Sequence, residues 1–163
     1  SIGNSHRFIS LINKTASTYG AKPSFSITLN HVNKYTGITD YDRALTISSL
    51  SNICKWLNPE DENNNLMIEE FQNNFITPGH VPILIASKGL LNERMGHTEM
   101  SIFLTKIANI TNVTTICEML DPNNYKALSY NDACKYAQDK NIVMLDAKDL
   151  IAYANNVDNK WTK

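Results

Sequence analysis

Apolar and polar residues alternate over Phe25-Ser26-Ile27-Thr28-Leu29, which predicts a half-buried strand. A polar loop, Asn33-Lys34-Tyr35-Thr36-Gly37-Ile38-Thr39, follows it. Thr39 and Asp42 stand at capping-box spacing, with Asp in place of the preferred Glu. Ala44, Ile47, Leu50, Ile53, Cys54 and Leu57 then recur at helical spacing, and Pro59 predicts the stop. Residues 58–74 turn polar, acidic and Asn-rich, a solvated connection with one short helix around Met67 to Phe71. Val81 to Ala86 reads as a strand whose start tolerates proline, followed by a turn at Lys88-Gly89-Leu90. Thr98 to Ala108 predicts a helix with Ile102, Leu104, Ile107 and Ala108 facing the core. Val113-Thr114-Thr115-Ile116-Cys117 and Ile142-Val143-Met144-Leu145 read as further strands. Between them, Ser129 with Asp132 opens a helix whose inner face carries Ala133, Tyr136 and Ala137. Asp146 with Asp149 opens the last helix, which carries Leu150, Ile151 and Tyr153. This alternation predicts a layered α/β or α+β domain. The expected fold class is α+β, a layered α/β sandwich with a mixed β-sheet flanked by helices.

Length and composition narrow the function more than the fold. A chain of 163 residues suits one domain, and 42% hydrophobic with 19% charged residues is a globular composition. Fifteen basic against sixteen acidic residues leave a formal charge of −1, which argues against a nucleic-acid partner. No apolar run approaches the roughly 20 residues that cross a bilayer, so no membrane partner is expected. The opening Ser1-Ile2-Gly3-Asn4-Ser5-His6-Arg7 does not read as a signal peptide. Cys54, Cys117 and Cys134 form neither a CxxC pair nor a disulfide framework, and a reducing, cytoplasmic setting is the expectation. The sequons at Asn13, Asn109 and Asn112 then carry no weight.

Four segments carry candidate chemistry. In Phe75-Ile76-Thr77-Pro78-Gly79-His80-Val81-Pro82, Pro and Gly predict a tight turn with His80 at the mouth of the next strand. His80 is there either an aimed imidazole or a plain exposed turn histidine. In Arg94-Met95-Gly96-His97-Thr98-Glu99, the free amides of a helix start can dock an anion with Arg94 assisting. His97 can ligate a divalent metal or move protons near neutral pH, while Glu99 is either functional or a favourable first-turn acid. At Cys117-Glu118, the carboxylate can be a general base or a metal ligand, and the thiol reads as core rather than nucleophile. In Asp40-Tyr41-Asp42-Arg43, Asp42 and Arg43 either bind substrate or form a salt-bridge network at the helix start. No Walker loop, dinucleotide fingerprint, HExxH or zinc-cysteine spacing occurs.

Taken in order, these segments resemble the 3,4-dihydroxy-2-butanone 4-phosphate synthase family of riboflavin biosynthesis. The resemblance starts near Thr15-Ala16-Ser17-Thr18-Tyr19-Gly20 and continues through Phe25-Ser26-Ile27, Thr36-Gly37-Ile38-Thr39, Asp42-Arg43 and Thr46-Ile47. It then takes in Pro78-Gly79-His80-Val81, Arg94 to Glu99, Cys117-Glu118 and the tail from Ala133 to Tyr153. The ordered set, PGH then GHTE then CE, is more specific than any single motif. The resemblance implies a lyase that converts ribulose 5-phosphate to formate and dihydroxybutanone phosphate. It implies Mg2+, or Mn2+, and no organic cofactor. It also implies a homodimer with sites near the subunit interface.

Residue by residue, the resemblance makes His97 a metal ligand and Glu118 a proton-transfer group. Arg94, Met95, Gly96 and Thr98 become the phosphate end, and His80 lies beside the substrate, reaching across the dimer. Thr36, Thr39, Asp42 and Arg43 match the substrate-proximal stretch. The expectation is that His97 and Glu118 converge, with Arg94 at the other end of the same pocket. One departure stands out. The family pattern includes an earlier acidic loop of the type Asp-Arg-Glu-Asn-Glu-Gly-Asp, which supplies the other metal carboxylate, and this sequence has no such run. Glu60-Asp61-Glu62 lacks that order and does not replace it. The expectation is one synthase-like domain over 1–163, incomplete at the N-terminus. The alternative is a noncatalytic ligand-binding or dimerisation module.

Overall fold

The computed structural model describes residues 24–55 and 65–161. Leu57, Pro59, the acidic run at 60–62 and the family-like stretch at 15–20 lie outside the described residues. Strand β1 spans Phe25–His31 and pairs antiparallel with β2, Phe75–Leu84. Helix α1 (Asp40–Cys54) packs on β1 and β2, and α2 (Asn65–Asn74) packs on α1 and leads into β2. A 3-10 turn at Leu90–Asn92 precedes α3 (His97–Ile107), and α4 (Tyr130–Lys140) and α5 (Ala147–Trp161) complete the order. The described residues therefore form an α+β fold, with one two-stranded sheet.

The three helix starts read from local spacing are present. Thr39 caps α1 by accepting from Asp42 N–H at 3.1 Å, and Ser129 caps α4 by accepting from Asp132 N–H at 3.2 Å. The short helix read around Met67 to Phe71 is α2. At the start of α5, Asp146 Oδ1 accepts from Lys148 N–H at 2.8 Å.

Several expectations are corrected, among them Tyr136, which is exposed rather than on an inner face of α4. Residues 75–82 are not a turn before a strand but part of β2 itself. In the register, Leu29 faces Val81 while Asn30 faces Ile76, so Thr77 to His80 bulge out of the ladder. The inner face of α1 is polar: Asp42 and Thr46 are buried, while Ala44 is exposed. In α3 the buried positions are Thr98, Glu99, Phe103 and Thr105, whereas Ile107 and Ala108 are exposed. Phe103 joins Leu91, Leu150 and Ala154 in the apolar core, with Leu90, Met100 and Leu104 packed around it.

The segments 113–117 and 142–145 do not pair as strands among the described residues. Ile116, Ile142, Val143, Met144 and Leu145 are exposed there. β-propensity measures fit to a neighbouring strand, and a segment with no neighbour to take its ladder bonds gains nothing from it. Cys117 is likewise exposed rather than core.

Candidate functional site

The candidate residues gather at two ends of β1. At its C-terminal end, the Thr77–His80 bulge removes N–H groups from the ladder, and β1 side chains replace the lost partners. Gly79 N–H donates to Thr28 Oγ1 at 3.0 Å, and His80 N–H donates to Asn30 Oδ1 at 2.9 Å. The bulge lies so close to β1 that a Cβ at Gly79 would overlap the backbone of Leu29 and Asn30. Glycine is therefore required for this approach. The His80 ring stays exposed, with Nδ1 3.0 Å from Asn30 Nδ2.

The loop after β1 is organised by one carboxylate. Asp42 is 2% exposed and accepts from the backbone N–H groups of Tyr35 (3.1 Å), Thr36 (3.0 Å) and Gly37 (2.8 Å). The N–H groups of Gly37 and Tyr35 are the main cause that lowers its pKa from 3.8 to about 2. Burial opposes them, and Thr36 and Thr39 assist. Gly37 adopts φ +87 and presses against the Asn30 amide. Thr46, fully buried, accepts from His31 N–H at 2.9 Å and donates to the Asp42 carbonyl at 2.9 Å, which ties α1 to the strand end. Arg43 instead forms an exposed ion pair with Asp40 at 2.6 Å, the salt-bridge network at the helix start.

At the other end of β1, Arg94 meets Glu99. The Arg94 Nη1 donates to Glu99 Oε2 at 2.9 Å, to Glu99 Oε1 at 3.1 Å and to the Ser24 hydroxyl. Glu99 is fully buried and also accepts from Ser87 N–H at 3.1 Å. Burial pushes the Glu99 carboxyl up, but the N–H groups of Ser87 and of Glu99 itself, with the Arg94 guanidinium, bring it below its ordinary value. Glu99 is thus a structural anchor, more than a favourable first-turn acid. Gly96 is the N-cap of α3 and brings no side-chain cap. A Cβ there would press on Glu99 Oε2 and the Arg94 guanidinium.

The Arg94 Nε is buried and has no partner among the described residues. A buried, unpaired guanidinium N–H beside a helix start whose N-cap brings no side chain suits an oxyanion, with the Glu99 N–H there already taken by its own carboxylate. Thr98 is buried on the first turn, while Met95 and His97 are exposed.

The structure brings Thr36, Asp42 and His80 to one end of β1, and Arg94, Gly96, His97 and Thr98 to the other. From Ser24 to Asn30 the strand covers on the order of 20 Å. Glu118 is exposed, and among the described residues no hydrogen bond or ion pair joins its side chain to His97. Nor do three or more His, Cys, Asp or Glu side chains converge as a metal site among the described residues. One imidazole does not by itself hold a hard cation that wants several oxygen ligands. Asn30, Thr28 and Ser24 escaped the sequence reading. Polar Asn30 and His31 directly after an apolar run were the available signal.

No helix among the described residues is long and apolar enough to cross a membrane.

An α+β domain with a two-ended polar site is a broad class, and comparison with known proteins narrows it. The family model for 3,4-dihydroxy-2-butanone 4-phosphate synthase matches residues 9–153, and the chain belongs to that family. It is 44% identical over 133 residues to the 3,4-dihydroxy-2-butanone 4-phosphate synthase of Methanothermobacter thermautotrophicus, covering 82% of this chain and 54% of that protein. It is 41% identical to the one from Methanosarcina mazei, covering 82% of this chain and 51% of that protein. A crystal structure of 3,4-dihydroxy-2-butanone 4-phosphate synthase of Candida albicans matches with a TM-score of 0.65 and 29% identity, over 80% of this chain and 59% of that one. The chain spans about half the length of the curated relatives it matches.

Proposed function

We propose that the protein is a lyase that converts D-ribulose 5-phosphate to L-3,4-dihydroxy-2-butanone 4-phosphate and formate. One observation carries the reading: the orphaned Nε of Arg94 beside the start of α3, where Gly96 supplies no side-chain cap, on a chain of this family. Arg94, Met95, Gly96 and Thr98 form the phosphate end. Held there, the phosphate is a handle whose binding energy positions the reacting carbons.

The reaction begins with removal of a proton next to the ketone, giving an enediol. Loss of water, a skeletal shift and hydrolytic release of the terminal carbon as formate follow, so the water lost is regained. Glu118 is the proton-transfer group and His80 contacts substrate oxygens, with Thr36, Thr39, Asp42 and Arg43 shaping that end. Magnesium, with manganese as a substitute, belongs to this reading, with His97 as one ligand. No organic cofactor enters.

The finer architecture is also proposed. A mixed sheet between helix layers makes one domain of the chain, which works as a cytoplasmic homodimer with neither nucleic acid nor membrane as partner.

The test is formate release by the whole protein from ribulose 5-phosphate with saturating magnesium. Formate is expected. Its absence overturns the reading and favours a noncatalytic ligand-binding or dimerisation module. His97→Ala is expected to abolish metal-dependent turnover while leaving the circular dichroism spectrum unchanged. An unaltered rate and metal titration refute that assignment.

A further inference from the structure

At the bulge between β1 and β2, the one amide of Asn30 meets His80 at both its backbone and its ring. His80 N–H donates to Asn30 Oδ1 at 2.9 Å, and Asn30 Nδ2 lies 3.0 Å from His80 Nδ1. A peptide N–H only donates, so the oxygen of the Asn30 amide has to face it. The amide NH2 is thereby turned toward Nδ1, and it too only donates. Nδ1 is therefore the bare, accepting nitrogen, and in the neutral ring the proton sits on Nε2.

Reversing the amide would set two donors against each other at His80 N. Asn30 is only 3% exposed, so water has little room to relieve that clash. The amide cannot easily swing away either. Gly37 lies so near that a Cβ there would overlap it, and the Gly37 N–H is itself held by Asp42 at 2.8 Å.

From this juxtaposition we propose that Asn30 is a positioning residue that locks His80 in the Nε2–H tautomer. The exposed edge of the ring then presents a hydrogen-bond donor to a substrate oxygen. It does not present a base. A neutral imidazole used in this way polarises a carbonyl or an enediolate oxygen and stabilises charge as it develops there. The catalytic part of this inference rests on the lyase reading above; the tautomer does not.

The test is nitrogen NMR on protein labelled with 15N, with the His80 signals assigned as those missing from His80→Gln. The wild type is expected to show Nε2 protonated and Nδ1 bare, with a scalar coupling between Asn30 Nδ2 and His80 Nδ1 across the hydrogen bond. A protonated Nδ1, or no such coupling, overturns the lock. This arm needs only wild-type signals and stands even if a substitution at Asn30 prevents folding.

Asn30→Asp keeps the acceptor for His80 N–H but offers Nδ1 a carboxylate, which only accepts. The tautomer is expected to invert, and kcat for formate release to fall by about 100-fold with KM little changed. A bare Nδ1 in the folded variant overturns the lock. An inverted ring with unchanged kcat overturns the donor role. If the coupling is present and no formate is ever formed, the lyase reading fails while the tautomer lock stands.

Discussion

At the scale of single residues, one buried acid does more than the sequence suggested. The capping pattern marked Asp42 as the partner of Thr39, and the Thr39 hydroxyl does bind Asp42 N–H. The Asp42 carboxylate also gathers three N–H groups of the preceding loop. Its pKa falls to about 2 from 3.8, so the ionised form is favoured by folding. The stability it contributes is fully present above pH 3.8 and is lost as the pH falls toward 2. Asp42→Asn is expected to lower the thermal midpoint at neutral pH and to flatten the acid limb of the stability curve over that window. Thermal melts at stepped pH check this, and an acid limb identical to wild type contradicts it. That the loop closes on Asp42 was not legible, because a carboxylate at a helix start has several local donors to choose from. Only the path of Gly37 against Asn30 decides among them.

Among the secondary-structure elements, legibility follows the range of the interaction. The starts of α1 and α4 depend on hydrogen bonds between a cap and a residue one turn on, and both were read correctly. β1 was legible from its alternation. The bulge in β2 was not, because it depends on Thr28 and Asn30, about fifty residues away. The inner face of α3 was misread for a similar reason. Glu99 reads as a surface acid until Arg94 and Ser87 fold over it, and the helix then turns so that Phe103 meets α5.

Two substitutions separate local from global effects. Ser129→Ala removes the α4 cap and is expected to lose about 1 kcal/mol. No residue of α4 is buried, so the loss should appear as faster hydrogen exchange within α4 rather than as an earlier global transition. Exchange rates that rise equally in α3 and α5 would contradict this. Glu99→Ala leaves the Arg94 guanidinium with only the Ser24 hydroxyl and the Ser87 N–H without its carboxylate, and about 3 kcal/mol of global stability is expected to be lost. Urea denaturation measures it, and a midpoint unchanged from wild type would show that the anchor is dispensable.

For the whole molecule, the apolar core among the described residues is small. Besides Leu29, Phe75 and Val81 of the strand pair, it comprises one cluster, Leu91, Phe103, Leu150 and Ala154, with Phe103 also edge-on to Tyr153 at 6.5 Å. Phe103→Ala is expected to lose about 3–5 kcal/mol, a large share of the stability of an ordinary domain. Calorimetry tests this, and a loss below 1 kcal/mol would mean the cluster is not the core. The layered sandwich read from the sequence needed partners for 113–117 and 142–145, and β-propensity says nothing about where a partner comes from. At the opposite extreme, the family itself was legible from an ordered series of short motifs, because active-site chemistry restricts residue types more tightly than packing does. β1 has a further consequence. It is a rigid spacer with one polar station at each end, and a five-carbon sugar phosphate is much shorter than the gap. If each station serves catalysis, a single chain works in two different reaction chambers. Chains crippled at opposite stations, His80→Gln and Arg94→Gln, should then recover part of their lost turnover when mixed.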